Sequence, residues 1–218
     1  AGNNAYLALY LDAPMQSWGY QSRFDRRTTL SHPTRSGILG MLCAAMGIDR
    51  ADTKGLQALA TLEILVYTLR DRGRLVDFQT VGGGWDPKKD RQHLLLTAAG
   101  KTRRDPAVTR REFLRNARFG VPIRGDRDLL EGIASAVRNP QWGIWLGRKS
   151  CIPATPVVQG IFDGSDAALE HLCGLAGCKR PIRAVTEAAC FEEGSDTLMD
   201  TPLDFATRDF APRRILVD

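Results

Sequence analysis

The chain has 218 residues, 43% hydrophobic and 25% charged, the balance of a folded globular protein and not of a disordered or collagenous one. That length suffices for one large domain or two small ones with a real core. No apolar run reaches the roughly 20 residues of a membrane-spanning helix. The opening AGNNAYLALYLD has neither the basic nor the apolar region of a secretory signal, so a cytoplasmic protein without a membrane partner is expected.

Charge is unevenly placed. The net is +5, but residues 1–150 hold 24 basic against 14 acidic residues, and residues 151–218 hold 6 against 11. This points one region at a polyanion and the other at water or a protein partner. Of the 30 basic residues, 24 are Arg. Guanidinium forks match phosphate oxygens and stack on bases, although a GC-rich genome produces the same bias. Five cysteines, an odd number, fit reduced thiols better than a disulfide framework. His171, Cys173, Cys178 and Cys190 lack the CxxC spacing of a zinc knuckle, so no metal and no cofactor is expected.

Along the chain, YLALYLD (6–12) reads as a buried first strand. A polar stretch follows, and then a helix starting near Thr34 or Ser36 and running to Met46. Its apolar stripe is Ile38, Leu39, Leu42, Ala45 and Met46, and Gly47 sits at its C′ position. Asp52 caps a shorter helix carrying Leu56 and Leu59. LEILVYTLR and LVDFQTVG flank DRGR as a hairpin. From about 82 to 110 the chain is polar and basic and reads as a protruding arm, with Leu94–Leu96 as an apolar island. REFLRNARFGVPI (111–123) reads as a strand. Asp126 caps a helix that presents Leu129, Leu130, Ile133, Ala134 and Val137 on one face and ends at Asn139-Pro140. WGIWLG reads as a short strand. The order approximates βαββαβ, an α+β, ferredoxin-like unit of the RNA-recognition-motif type, without that motif's stacking aromatics. It occupies residues 1–149, with a small β-rich subdomain over 150–218.

Candidate sites cluster in the N-terminal part. PMQSWG brings Gln16, Ser17 and Trp18. Arg26, Arg27 and Thr28 follow, and then the helix start at Arg35, Ser36 and Gly37. This start serves either as an anion site built from backbone N–H groups or simply as a capped helix packed on the sheet. Residues 88–124 hold eleven basic side chains against three acidic ones, among them Arg103, Arg104, Arg110 and Arg111. A solvated face mixes both signs more evenly, and a basic hairpin can clamp an RNA strand. LGRKSC adds Arg148, Lys149 and Ser150, either as an exposed basic turn or as part of the same surface. A metal-free ribonuclease needs a base and an acid, for which His32 with Tyr20, or His93 with Lys89, are the available pairs. Their spacing does not demand it, and a protein-only scaffold is a third possibility.

The run DAPMQSWG…RRTTLSHPTRSGILGMLCAAMGI resembles the N-terminal signature of the CasD family, the Cas-five type subunit of the type I-E CRISPR surveillance complex Cascade. NPQWGIWLGRKSCIPATPV and FATRDFAPRRI resemble two later segments of that family, in order. The resemblance implies a ferredoxin-like fold with an arm called the thumb at about 82–110. It implies a non-catalytic subunit that holds the 5′ handle of CRISPR RNA and caps a filament of CasC backbone subunits. Contact with the large subunit CasA, and with target DNA through the assembled complex, is implied too. PMQSWG and HPTRSG should then line the handle pocket, with LGRKSC nearby. In related type I-C systems the corresponding subunit cuts repeat RNA itself, which keeps the ribonuclease reading as the alternative.

Overall fold

The computed structural model describes residues 3–20, 25–82, 96–97, 99–101 and 106–218. Among the described residues, eight strands form one antiparallel sheet and four form a second sheet beside it. In chain order the elements are β1 (Asn4–Asp12), β2 (Met15–Gln16), β3 (Arg26–Arg27), α1 (Arg35–Met46), α2 (Thr53–Ala60), β4 (Glu63–Ile64), β5 (Val66–Arg70), β6 (Arg74–Val81), β7 (Ala107–Arg115), β8 (Arg118–Asp126), α3 (Arg127–Arg138), β9 (Val158–Phe162), α4 (Ser165–Ala176), β10 (Arg183–Glu187), β11 (Asp196–Asp204) and β12 (Asp209–Val217). The protein is thus mixed α+β.

The large sheet runs β11-β12-β10-β5-β8-β1-β9, with β4 also paired to β8. Main-chain pairing crosses the 149/150 boundary, because β9 closes one edge and β10, β12 and β11 extend the other. The alternation of β1 sorts the two faces. Leu7, Leu9 and Leu11 enter the main core with Ile38, Leu39 and Leu42 of α1 and Leu130, Ile133 and Val137 of α3. Ala8 and Tyr10 point to the other face, where Ala168, Leu172 and Cys173 of α4 cover them. Helix starts follow local chemistry. Thr34, Asp52 and Asp126 each accept backbone N–H donors at their helix N-termini, and Gly47 ends α1 in the left-handed conformation at φ 73°.

Three expectations are corrected. LEILVYTLR and LVDFQTVG do not pair with each other: β5 lies buried between β10 and β8, whereas exposed β6 pairs with β7 from Arg74↔Leu114 to Val81↔Ala107. The hairpin stem therefore closes the 82–106 arm instead of the DRGR turn. REFLRNARFGVPI is two strands, because Asn116 turns left-handed at φ 47° and sends β7 and β8 into different sheets. WGIWLG is a loop. Its approach is fixed when the N–H groups of Gln141 and Trp142 donate to the Ala45 and Ala44 carbonyls (2.9 and 3.1 Å), which are open at the end of α1. The edge strand beside β1 is β9.

A buried carboxylate ties the N-terminus of α1 to the C-terminal hairpin β11–β12. Asp200, 1% exposed, accepts Arg213 Nε and Nη2 at 3.0 and 2.9 Å and the Arg35 backbone N–H at 2.8 Å. Removing one member strands the other charge in the interior. Asp200→Ala should therefore cost about 3–5 kcal/mol, read from urea midpoints. A loss below about 1 kcal/mol would place this pair among those of no structural consequence.

Candidate nucleic-acid interface

The second sheet assembles arginines that are far apart in sequence. β3 lies parallel to β7 with Arg26 opposite Arg110 and Arg27 opposite Arg111. Side chains alternate along a strand, so Arg27 and Arg111 share one face with Phe113, and Arg26 and Arg110 share the other with Phe78. Arg148 reaches the first face from the loop after α3. Its guanidinium stacks 4.7 Å over the Phe113 ring, and its Nη2 donates to the Arg27 carbonyl at 3.2 Å. Burial holds the Arg148 pKa below the ordinary arginine range, and the cations of Arg111 and Arg27 push it the same way. On the opposite face Arg110 lies 5.6 Å over Phe78, which is 58% exposed. Glu112, the carboxylate in this run, is engaged by Arg74 at 3.1 Å. The result is two arginine-on-aromatic faces back to back, a surface suited to phosphates and bases.

The predicted residues divide into surface and scaffold. Arg26, Arg27, Arg110, Lys149 and Ser150 are exposed, and Thr28, Arg111 and Arg148 are partly so. Gln16, Ser17, Trp18 and Arg35, expected to line a ligand pocket, are buried within the chain. Gln16 has no exposed surface. Its amide donates to the Leu11 and Ala117 carbonyls (3.0 and 2.8 Å) and accepts from Trp18 Nε1 at 3.2 Å. Ser17 donates its Oγ–H to the Glu112 carbonyl at 3.2 Å and its N–H to the Leu146 carbonyl at 3.1 Å. Trp18 packs beneath Gly37, where an added Cβ would fall 2.9 Å from its ring. Arg35 turns inward, donating Nη2 to the Ala60 carbonyl at 2.7 Å and facing Glu187 at 3.7 Å. Ser36 and Gly37 are half-buried on the outer side of α1.

These internal groups act as a mount. Gly147, at φ 98°, lies against Ser17 so closely that a Cβ would fall 1.7 Å from the Ser17 carbonyl oxygen. The contact fixes the 142–149 loop, and with it Arg148 and Lys149, to the β2 turn. Sequence reasoning missed Phe78, Phe113 and Trp145 as the rings under the cations, with Lys149 Nζ 5.8 Å over Trp145. The alternating REF run at 111–113 carried the signal for one of them.

Of the two ribonuclease pairs, His32 with Tyr20 lies among the described residues. His32 is 7% exposed, and neither ring nitrogen has a hydrogen-bond partner among the described residues. Burial lowers its pKa to about 4, with Asp200 opposing the shift and Arg213 and Arg183 adding to it. Tyr20 is half-buried, and Thr28 donates its hydroxyl to the Tyr20 carbonyl at 3.3 Å. Lys89, His93, Arg103, Arg104 and most of the 82–110 arm lie outside the described residues. Of the zinc candidates, His171 stacks on Phe162, Cys173 is buried and Cys190 is exposed. No group of three potential ligands converges among the described residues. Nor does any described helix have the length and apolarity to cross a membrane.

Comparison with known proteins adds independent information. The family described as CRISPR-associated protein (Cas_Cas5) matches residues 6–215. The Cascade subunit CasD of Escherichia coli (strain K12) is 34% identical, with 94% of each chain covered. Among solved structures, a chain of a CRISPR RNA-guided surveillance complex superposes with a TM-score of 0.77 at 29% identity, covering 98% of this chain and 89% of its own. A crystal structure of a Cas protein gives 0.68 at 30% identity, covering 98% and 93%.

The environment of His32 generates a pH dependence. An unfolded imidazole titrates near 6.5 and the folded one near 4, so below pH 6.5 the unfolded chain binds a proton that the folded chain refuses. Stability should fall by about 3 kcal/mol between pH 7 and pH 4 through this group and then level off. His32→Gln should flatten that part of the urea-stability profile, and an unchanged slope would assign the loss to the carboxylates.

Proposed function

The chain belongs to the CRISPR-associated protein (Cas_Cas5) family, and on that premise we propose that it is a non-catalytic subunit of a Cascade-type complex that grips the 5′ handle of the guide RNA. The observation that carries this reading is the convergence of Arg26–Arg27, Arg110–Arg111 and Arg148 on one small sheet. Arg27, Arg111 and Arg148 share one face with a single cross-strand carboxylate among the described residues, Asp77 opposite Arg111, so the cations outnumber it and a sugar-phosphate backbone gains charge-assisted hydrogen bonds there. Phe113 and Phe78 lie under the Arg148 and Arg110 guanidinium groups, and Phe78 is exposed enough to stack a base. The ligand is bent single-stranded RNA, held by its backbone and splayed bases and not by a groove of a duplex.

The main sheet is read as a ferredoxin-like core. The spatial order β5-β8-β1-β9, with β1, β5, β8 and β9 as the four strands of βαββαβ and α1 and α3 packed together over one face, supports that assignment. The β6–β7 stem is the root of the thumb. In the assembly the chain would cap one end of the CasC filament and meet CasA, supporting RNA-guided targeting of DNA. The buried, partnerless His32 favours binding over cleavage.

The combined change Arg27→Ala with Arg111→Ala should weaken binding of repeat-derived handle RNA. It should also lower the slope of log affinity against log salt by about 1.4, since each single-strand phosphate contact contributes roughly 0.7. An unchanged slope in filter-binding titrations would remove these arginines from the interface. Incubation of the chain with full repeat RNA in EDTA should leave the RNA intact, whereas cleavage lost on His32→Ala would establish the ribonuclease reading instead.

A further inference from the structure

The C-terminal end of α4 brings two thiols together. Gly177 ends the helix in the left-handed conformation at φ 71°. Its N–H donates to the Gly174 carbonyl at 3.1 Å, and the Cys178 N–H donates back to the Cys173 carbonyl at 3.0 Å. This paired closure folds the residue after the glycine over the last helical turn, where an apolar contact ordinarily forms. Here both contacting positions are cysteine. Cys173 is buried in the small core with Ala8, Tyr10 and Leu172, and half-buried Cys178 packs against that core. The Cys173 S–H donates to the Cys178 sulfur, and burial, followed by that hydrogen bond, pushes the Cys173 thiol up to about 11. The outer side of the turn is open, since a Cβ added at Gly174 or Gly177 would meet nothing within 4 Å.

We propose that this turn is an oxidation site, at which Cys173 and Cys178 form a reversible disulfide when the chain meets a peroxide. The inference is independent of the RNA-binding reading. Cys178, the more accessible member, reacts first. Its thiolate attacks one peroxide oxygen, the O–O bond breaks, and the departing hydroxide takes a proton to become water. The sulfur is thereby oxidised by two electrons to a sulfenic acid. Cys173 then attacks that sulfur. The S–S bond forms, the S–O bond breaks, and the oxygen leaves as a second water with the Cys173 proton. Two thiols and one peroxide thus yield one disulfide and two waters. Cys173 suits the second role because it is shielded from the oxidant yet already in contact with the sulfur it must attack. A thiol reductant restores both groups by exchange. Cys43 and Cys151 belong to the main core, across the sheet from this pair.

The test treats the reduced full chain with hydrogen peroxide, quenches it in acid, unfolds it, and alkylates the remaining thiols before tryptic mass mapping. No Lys or Arg lies between the two cysteines, so a linked pair stays in one peptide, about 2 Da lighter and unalkylated. That product is expected, with Cys43 and Cys151 still alkylated. Dithiothreitol added before alkylation should restore both thiols. Cys178→Ser should abolish the mass loss and leave Cys173 alkylated, whereas Cys190→Ser should leave the linked peptide unchanged. Recovery of Cys178 as a sulfinic or sulfonic acid, with Cys173 still a thiol, would overturn the proposal. So would a disulfide from either cysteine to Cys190, or a peroxide-treated chain in which both members of the pair remain alkylated.

Discussion

The Asp200 carboxylate sits where two otherwise separate parts of the chain must agree. It accepts a fork from Arg213 of β12 and the first N–H of α1, so one buried anion satisfies a buried cation and an open helix end at once. Because α1 also packs on Trp18, the turn after β2 is tied to this anchoring. His32 lies near the same carboxylate, and burial, more than the neighbouring Arg213 and Arg183, holds its imidazole neutral at pH 7.

Binding chemistry and internal support divide along unexpected lines. Polar residues of PMQSWG and the helix-start arginine have the chemistry of ligand groups, yet they serve the interior, filling backbone valences that would otherwise be unpaired. The arginines of the second sheet stand on strand faces beside aromatic rings. Under the proposed function, a phosphate would meet cations already held in position, and the side chains would lose little freedom on binding.

Elements with local signals were legible in the sequence. The strand read at 6–12, the helices opened by Thr34, Asp52 and Asp126, and the stop at Gly47 depend on caps, periodicity and a left-handed turn within a few residues. Partner choice was not. Whether β6 pairs with β5 or with β7 is decided by burial, and one left-handed Asn116 is enough to split an apparent strand between two sheets. WGIWLG has the composition of a strand, but its path is set by α1 carbonyls that no local pattern announces. Nor does spacing reveal that Arg27, Arg111 and Arg148 meet.

The seat of Gly147 on the Ser17 carbonyl leaves no room for even a methyl group. This seats the strap from 142 to 149 on the β2 corner, with the Arg148 guanidinium over Phe113 and the Lys149 ammonium over Trp145. Tilting it would require the β2 corner to move as well. The two surfaces therefore behave as one pre-set tool, and any residue larger than glycine at this joint would dislodge both together while leaving the distant hydrophobic layers in place.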